Sequence, residues 1–148
     1  AGISEAESTM WERIRDVMQL PDDEMMGAFV EAELAPGVAV PEPPPGPPPD
    51  WMSRRPAGLR ALVRSFEATD IDPASLRSFD RPVYFALGGL SHPDLYAQIA
   101  DRLEDVFPDF SLEVFDERHH FDPPHRVEPE RLAEPLQSIW SRADGRFT

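Results

Sequence analysis

A proline-rich run divides this chain of 148 residues. Positions 41–49 read PEPPPGPPP, in which seven of the nine residues are proline. Because proline fixes φ and lacks a backbone N–H, neither a helix nor a central strand can pass through such a run. We interpret the run as a stiff surface connector, with a polyproline ligand for the aromatic groove of a partner as the alternative.

The chain around this connector has the apolar spacing of amphipathic helices. Apolar side chains recur every three or four positions over residues 4–20, 22–34 and 56–66, which predicts three helices. Ser4 and Glu7 have the spacing of a capping box at the start of the first helix. Methionine and aromatic side chains are frequent in this part of the chain. They form either an ordinary core or an adaptable lid over an acyl or alkyl substrate: Met10, Trp11, Met18, Met25, Met26, Phe29, Trp51 and Met52.

The second half of the chain changes its period. Residues 83–89 (VYFALGG) and 111–117 (SLEVFDE) are typical of strands, and residues 93–107 between them have helical spacing, with Ser91 or His92 as the N-cap. The order strand, helix, strand predicts a parallel pair joined by a right-handed crossover. Since parallel sheets normally contain more than two strands, we expect part of the fold to lie outside this chain.

A last helix is predicted over residues 129–143, where Leu132, Leu136, Ile139 and Trp140 have helical spacing. Pro135 lies inside it and should bend or destabilise it.

Charge and cysteine content exclude several functions. Twenty-eight acidic and 14 basic residues give a net charge of −14, which disfavours binding to nucleic acids and to anionic membranes. The absence of cysteine excludes disulfides, thiolate nucleophiles and Cys-ligated zinc. No apolar run approaches the length of a membrane span, and the first residues lack the pattern of a secretory signal. We therefore expect a soluble, cytoplasmic protein.

Residues 81–143, from RPVYFALGG through DERHHFDPPHR to SIWSRA, resemble the C-terminal end of an α/β-hydrolase. The resemblance implies an α/β fold class in which VYFALGG is the seventh strand and SLEVFDE is the eighth. Residues 80–148 would then be the C-terminal section of the hydrolase core. Residues 1–79, with the connector, would be a helical cap or lid.

The same resemblance implies a serine-type hydrolase that cleaves an ester, amide or similar bond of a small apolar substrate without a cofactor. The family's G-x-S-x-G nucleophile elbow is absent. Its nearest match, residues 2–6, lacks the final glycine and a preceding strand, so Ser4 is interpreted as a helix cap. We therefore expect activity only with an N-terminal section of the same fold, supplied by a second chain or a cleaved part. A non-catalytic scaffold or interaction protein of the same fold is the alternative.

The histidine loop supplies the candidate catalytic residue. On the resemblance, His120 is the general base, and His119 is a neighbour that tunes or shields it. The triad acid is either Asp94, a weak candidate, or a carboxylate at the end of the sixth strand, outside this chain. The alternative for Asp94 is a structural role, in which its negative charge stabilises the N-terminus of the following helix.

The residue types of the same loop also allow a metal site, but their spacing disfavours it. His119, His120, Asp122 and His125 are all of ligand type. However, adjacent histidines rarely bind one metal ion, and the two prolines at positions 123–124 are expected to exclude the helix that an H-E-x-x-H site needs. We predict neither a metal nor a cofactor.

Overall fold

The computed structural model of this chain describes residues 3–43, 45–69 and 71–144. These residues form a mixed α/β structure with seven α-helices, one 3-10 helix and a two-stranded sheet. In chain order the elements are α1 (Glu5–Val17), α2 (Asp22–Ala32), the 3-10 helix (Asp50–Arg54), α3 (Arg55–Ala68), α4 (Pro73–Arg77), β1 (Val83–Gly88), α5 (Pro93–Val106), β2 (Phe110–Phe115), α6 (Pro124–Val127) and α7 (Pro129–Asp144).

The two strands pair in parallel, as their order with α5 between them predicted. The register runs from Val83 opposite Phe110 to Gly88 opposite Phe115. Helix α5 packs against both strands, and α7 contacts β1. Because the strands are parallel, their carboxyl ends lie at the same edge of the sheet.

One hydrophobic core joins the helical first half to the sheet region. Side chains from α1, α2, α3 and α5, together with Met18 after α1, meet in it: Ile14, Val17, Met18, Met25, Val63 and Leu95. Met10, Met18 and Met25 are buried, whereas Trp51 is 55% exposed. The methionine and aromatic side chains of the first two helices thus belong largely to this core.

The N-terminus of α1 confirms one half of the predicted capping box. The Glu7 backbone N–H donates to Ser4 Oγ at 3.1 Å. The other half is wrong, because the Glu7 carboxylate does not return to the Ser4 backbone. It is buried against α5, where both terminal nitrogens of Arg102 donate to it, and Trp11 Nε1 donates at 3.3 Å. A buried carboxylate is stabilised more by a bidentate cation than by one amide.

Prolines exclude regular structure in one segment of the chain and are accommodated in helices in two others. Residues 38–43 and 45–49 form neither helix nor strand, as expected. The expectation that prolines 123 and 124 exclude a helix is wrong, because α6 is a single turn that begins at Pro124. Proline is tolerated at the first helical position, where its missing N–H has no partner in any case. Helix α7 continues through Pro135.

None of the helices in the described residues is long and apolar enough to cross a membrane.

Candidate functional site

Two loops meet at the carboxyl edge of the sheet. One loop, residues 89–92, follows β1, and the other, residues 116–123, follows β2. The Leu90 N–H donates to the Arg118 carbonyl at 2.8 Å, and the Gly89 N–H donates to the Phe115 carbonyl at 2.9 Å. In open α/β structures this edge is the usual place for a ligand.

Two glycines permit this close approach. A Cβ at Gly88 would lie 2.7 Å from the Arg118 carbonyl oxygen and 2.9 Å from His119 Cα. A Cβ at Gly89 would lie 2.9 Å from the Asp116 backbone. Side chains at these positions would force the two loops apart, so the Gly-Gly pair sets the position of the histidine loop.

A third segment, from the helical half of the chain, hydrogen-bonds to the loop that follows β1. After α2, the Glu33 carbonyl accepts from the His92 N–H at 2.9 Å, and the Ala35 N–H donates to the Leu90 carbonyl at 2.9 Å. Leu34 and Ser91 form an isolated antiparallel bridge. The end of α2 therefore lies against the start of α5.

A cavity of about 310 Å³ lies between the two strands, the start of α5 and the loops that follow the strands. Its walls include apolar side chains of both strands and the two prolines at positions 123 and 124. The polar side chains on its lining are Ser91, Tyr96, Arg118, His119, His120 and Asp122.

His120, the predicted base, lies on this lining. Its imidazole stacks on the Tyr96 ring, with centroids 4.9 Å apart and an angle of 27° between the planes. Among the described residues, no group hydrogen-bonds to its ring nitrogens. Although the residue is exposed, the protein atoms around the ring desolvate it and lower its pKa below the ordinary 6.5, and the neighbouring His119 acts in the same direction. The lowered pKa favours the neutral form of the His120 ring at pH 7.

His119 has both ring nitrogens occupied. The side chain is buried, its Nδ1 accepts from the Phe121 N–H at 3.2 Å, and its Nε2 lies 3.3 Å from an oxygen of Asp122. Since Nδ1 accepts, the neutral ring carries its proton on Nε2 and donates it to the Asp122 carboxylate. Asp122 thus pairs with His119 and not with His120.

The other sequence candidates lie away from the cavity. Asp94 is in the first turn of α5 and is absent from the cavity lining. Its charge acts on His92, whose pKa is lowered by burial, partly opposed by Asp94. His125 is exposed on α6 and does not line the cavity. In residues 3–43, 45–69 and 71–144, no three His, Asp or Glu side chains are grouped so that they could hold a metal ion.

Tyr96 lines the cavity and Glu33 is its hydrogen-bond partner, and the sequence analysis predicted neither role. Glu33 is 4% exposed, and the Tyr96 hydroxyl donates to its carboxylate. Burial raises the pKa of Glu33, and the hydrogen bond from Tyr96 partly opposes that rise. The only sign of this contact in the sequence is a tyrosine on the apolar face of α5. Periodicity relates neighbouring positions, whereas Glu33 and Tyr96 are 63 residues apart.

No protein-family model, no curated protein and no solved structure matches this chain. The function of this chain is therefore inferred from the chemistry of the cavity residues and from the order of the structural elements.

Proposed function

We propose that this chain supplies the general base of a serine-type α/β-hydrolase, which cleaves an ester, amide or similar bond of a small apolar substrate. Residues 80–148 would form the C-terminal section of the hydrolase core, and residues 1–79 would form its cap. The observation that carries the proposal is a histidine whose ring nitrogens hydrogen-bond to no described residue, on the lining of a cavity at the carboxyl edge of a parallel strand–helix–strand unit.

The protonation state of His120 suits a general base. A neutral imidazole can accept the proton of a serine hydroxyl as that hydroxyl attacks a carbonyl carbon, and can later return it to the leaving group. The lowered pKa of His120 keeps the ring neutral to a lower pH than an ordinary histidine. His119 is unsuited to this step, because its nitrogens are already bonded to Asp122 and to the Phe121 backbone.

We propose that the nucleophile lies outside the described residues. Ser91 lines the cavity, but it is 4% exposed and its side chain is hydrogen-bonded to neither histidine. A nucleophile elbow holds its serine on a strained turn. No non-glycine residue in the described part of the chain has a positive φ. We propose that the serine and the acid that orients His120 lie on further strands, in an N-terminal section of the same fold.

The sheet offers a place for such strands. Within the described residues, β1 and β2 pair only with each other, so each keeps one outer edge. Exposed strand edges are templates for pairing with another segment. A strand that extended this sheet in parallel would end beside the cavity that His120 lines.

The cavity suits a small, mainly apolar substrate. Its volume of about 310 Å³ lies at the lower end of the range for ligand pockets, roughly 300–1,000 Å³. Phe85, Leu87 and Phe115 contribute apolar wall next to the histidine.

The decisive experiment measures hydrolysis of short-chain nitrophenyl esters by the protein that contains this chain and the nucleophile section. His120→Ala should lower kcat/KM by about 10²–10⁴-fold, the usual contribution of a general base. His125→Ala is the control and should retain most of the activity, because His125 is exposed and outside the cavity. The assignment of His120 is wrong if His125 proves essential and His120 dispensable.

A non-catalytic scaffold is the second candidate, favoured by one observation: the described residues hold no nucleophile bonded to His120. In that case no ester would be turned over, and a serine-directed phosphonate would label neither this chain nor its partner.

A further inference from the structure

The ring of His120 is held mainly by aromatic contacts. One face stacks on Tyr96, and the Phe121 ring lies edge-on to it, with centroids 5.3 Å apart and planes at 80°. Since no described group hydrogen-bonds to its ring nitrogens, the stacking partner determines where those nitrogens point.

Tyr96 is itself fixed from the helical half of the chain. Its hydroxyl donates to the buried carboxylate of Glu33, whose carbonyl accepts from the His92 N–H. Glu33 therefore contacts α5 twice, through the side chain at Tyr96 and through the backbone at the helix start. A phenol ring tied at its far end has little freedom to rotate or to tilt.

We propose that Glu33 and Tyr96 are positioning residues for His120: the carboxylate fixes the phenol ring, and the ring sets the orientation of the imidazole in the cavity. This inference rests on the proposed function only for its purpose, because the contacts hold whether or not a reaction follows. It also gives the helical half a role in the site, since Glu33 lies directly after α2.

The chain provides a matched control for the Tyr–Glu hydrogen bond. Its only other tyrosine, Tyr84 on β1, donates to the Glu113 carboxylate at 2.7 Å. Tyr84 does not line the cavity. Tyr84→Phe thus removes a hydrogen bond of the same kind without touching the proposed contacts of His120.

The test follows the His120 ring by NMR in the 148-residue chain with labelled histidine, using His120→Gln to identify its resonances. Tyr96→Leu should raise the titration midpoint of His120 and remove the ring-current displacement of its ring protons, because one face becomes open to water. Tyr96→Phe should give a smaller change in the same direction, since the ring stays but loses its anchor. Tyr84→Phe should change neither property.

Glu33 is tested with two substitutions. Glu33→Gln keeps an oxygen that can accept from Tyr96, and should leave the His120 resonances close to those of the unsubstituted chain. Glu33→Ala removes the acceptor and should reproduce the effect of Tyr96→Phe.

The proposal is overturned if His120 titrates and resonates unchanged in folded Tyr96→Leu, or in folded Tyr96→Phe where the leucine variant does not fold. It is also overturned if Tyr84→Phe shifts His120 as much as Tyr96→Phe does, because the effect would then be one of general stability. The two proposals can fail separately. An unchanged His120 resonance would overturn the positioning role without affecting the ester assay of His120→Ala, and an absence of ester turnover would overturn the proposed function without affecting the NMR result.

Discussion

The buried ion pair between α1 and α5 predicts a large cost for one substitution. Glu7 is 1% exposed, and both terminal nitrogens of Arg102 donate to its carboxylate. Arg102→Ala would leave that carboxylate buried, with Trp11 Nε1 as its one remaining donor among the described residues. Breaking a buried pair costs about 3–5 kcal/mol. Because the Arg102 side chain is 30% exposed and water can partly replace it, we expect the lower end, about 3 kcal/mol.

Urea unfolding followed by circular dichroism measures this cost. With a denaturant slope near 2 kcal/mol/M, the midpoint should fall by about 1.5 M while the slope is unchanged. Arg15→Ala is the matched control, because its pair with Glu67 has side chains 50% and 49% exposed and should be worth about 1 kcal/mol or less. The reasoning is refuted if Arg102→Ala costs no more than this control. Replacing both partners, Glu7→Leu with Arg102→Met, should recover most of the loss.

Three further substitutions test the core, the loop contact and the acid. Met25→Ala removes a side chain that is 0% exposed and should cost about 2–5 kcal/mol in urea unfolding. Gly88→Ala should cost about 1–3 kcal/mol because its Cβ overlaps the Arg118 carbonyl, whereas Gly58→Ala in α3, with open space around it, should stabilise by about 0.5–1 kcal/mol; equal effects would contradict the account. Asp94→Asn should lower kcat for ester hydrolysis by less than about tenfold, roughly 1.4 kcal/mol in barrier. A loss as large as that of His120→Ala would make Asp94 the acid.

The elements that the sequence predicted well are those whose signal is local. Helix α5 has a proline at its first position and an apolar stripe that includes Leu95 and Ile99, and β1 is a short β-branched and aromatic run ended by glycines. Both signals depend on neighbours within a few positions. Parallel pairing then followed from the order of the elements.

The site was less predictable because its contacts join distant positions. His119 and His120 are adjacent and chemically identical, yet one is closed by Asp122 and the other is open to the cavity. That difference depends on which way the loop turns after β2. The contact of Glu33 with Tyr96 depends on how α2 ends against α5, which periodicity does not encode.

Chemical rescue tests the central claim most directly. His120→Gly leaves a gap beside the cavity where free imidazole can take the place of the missing ring, so added imidazole should restore ester turnover to this variant in the complete protein. His119→Gly is the comparison, because its ring is bonded to Asp122 and to the backbone and takes no proton from the nucleophile. The account predicts imidazole-dependent turnover for His120→Gly and none gained by His119→Gly. Rescue of His119→Gly alone, with folded His120→Gly as active as the unsubstituted protein, would contradict it.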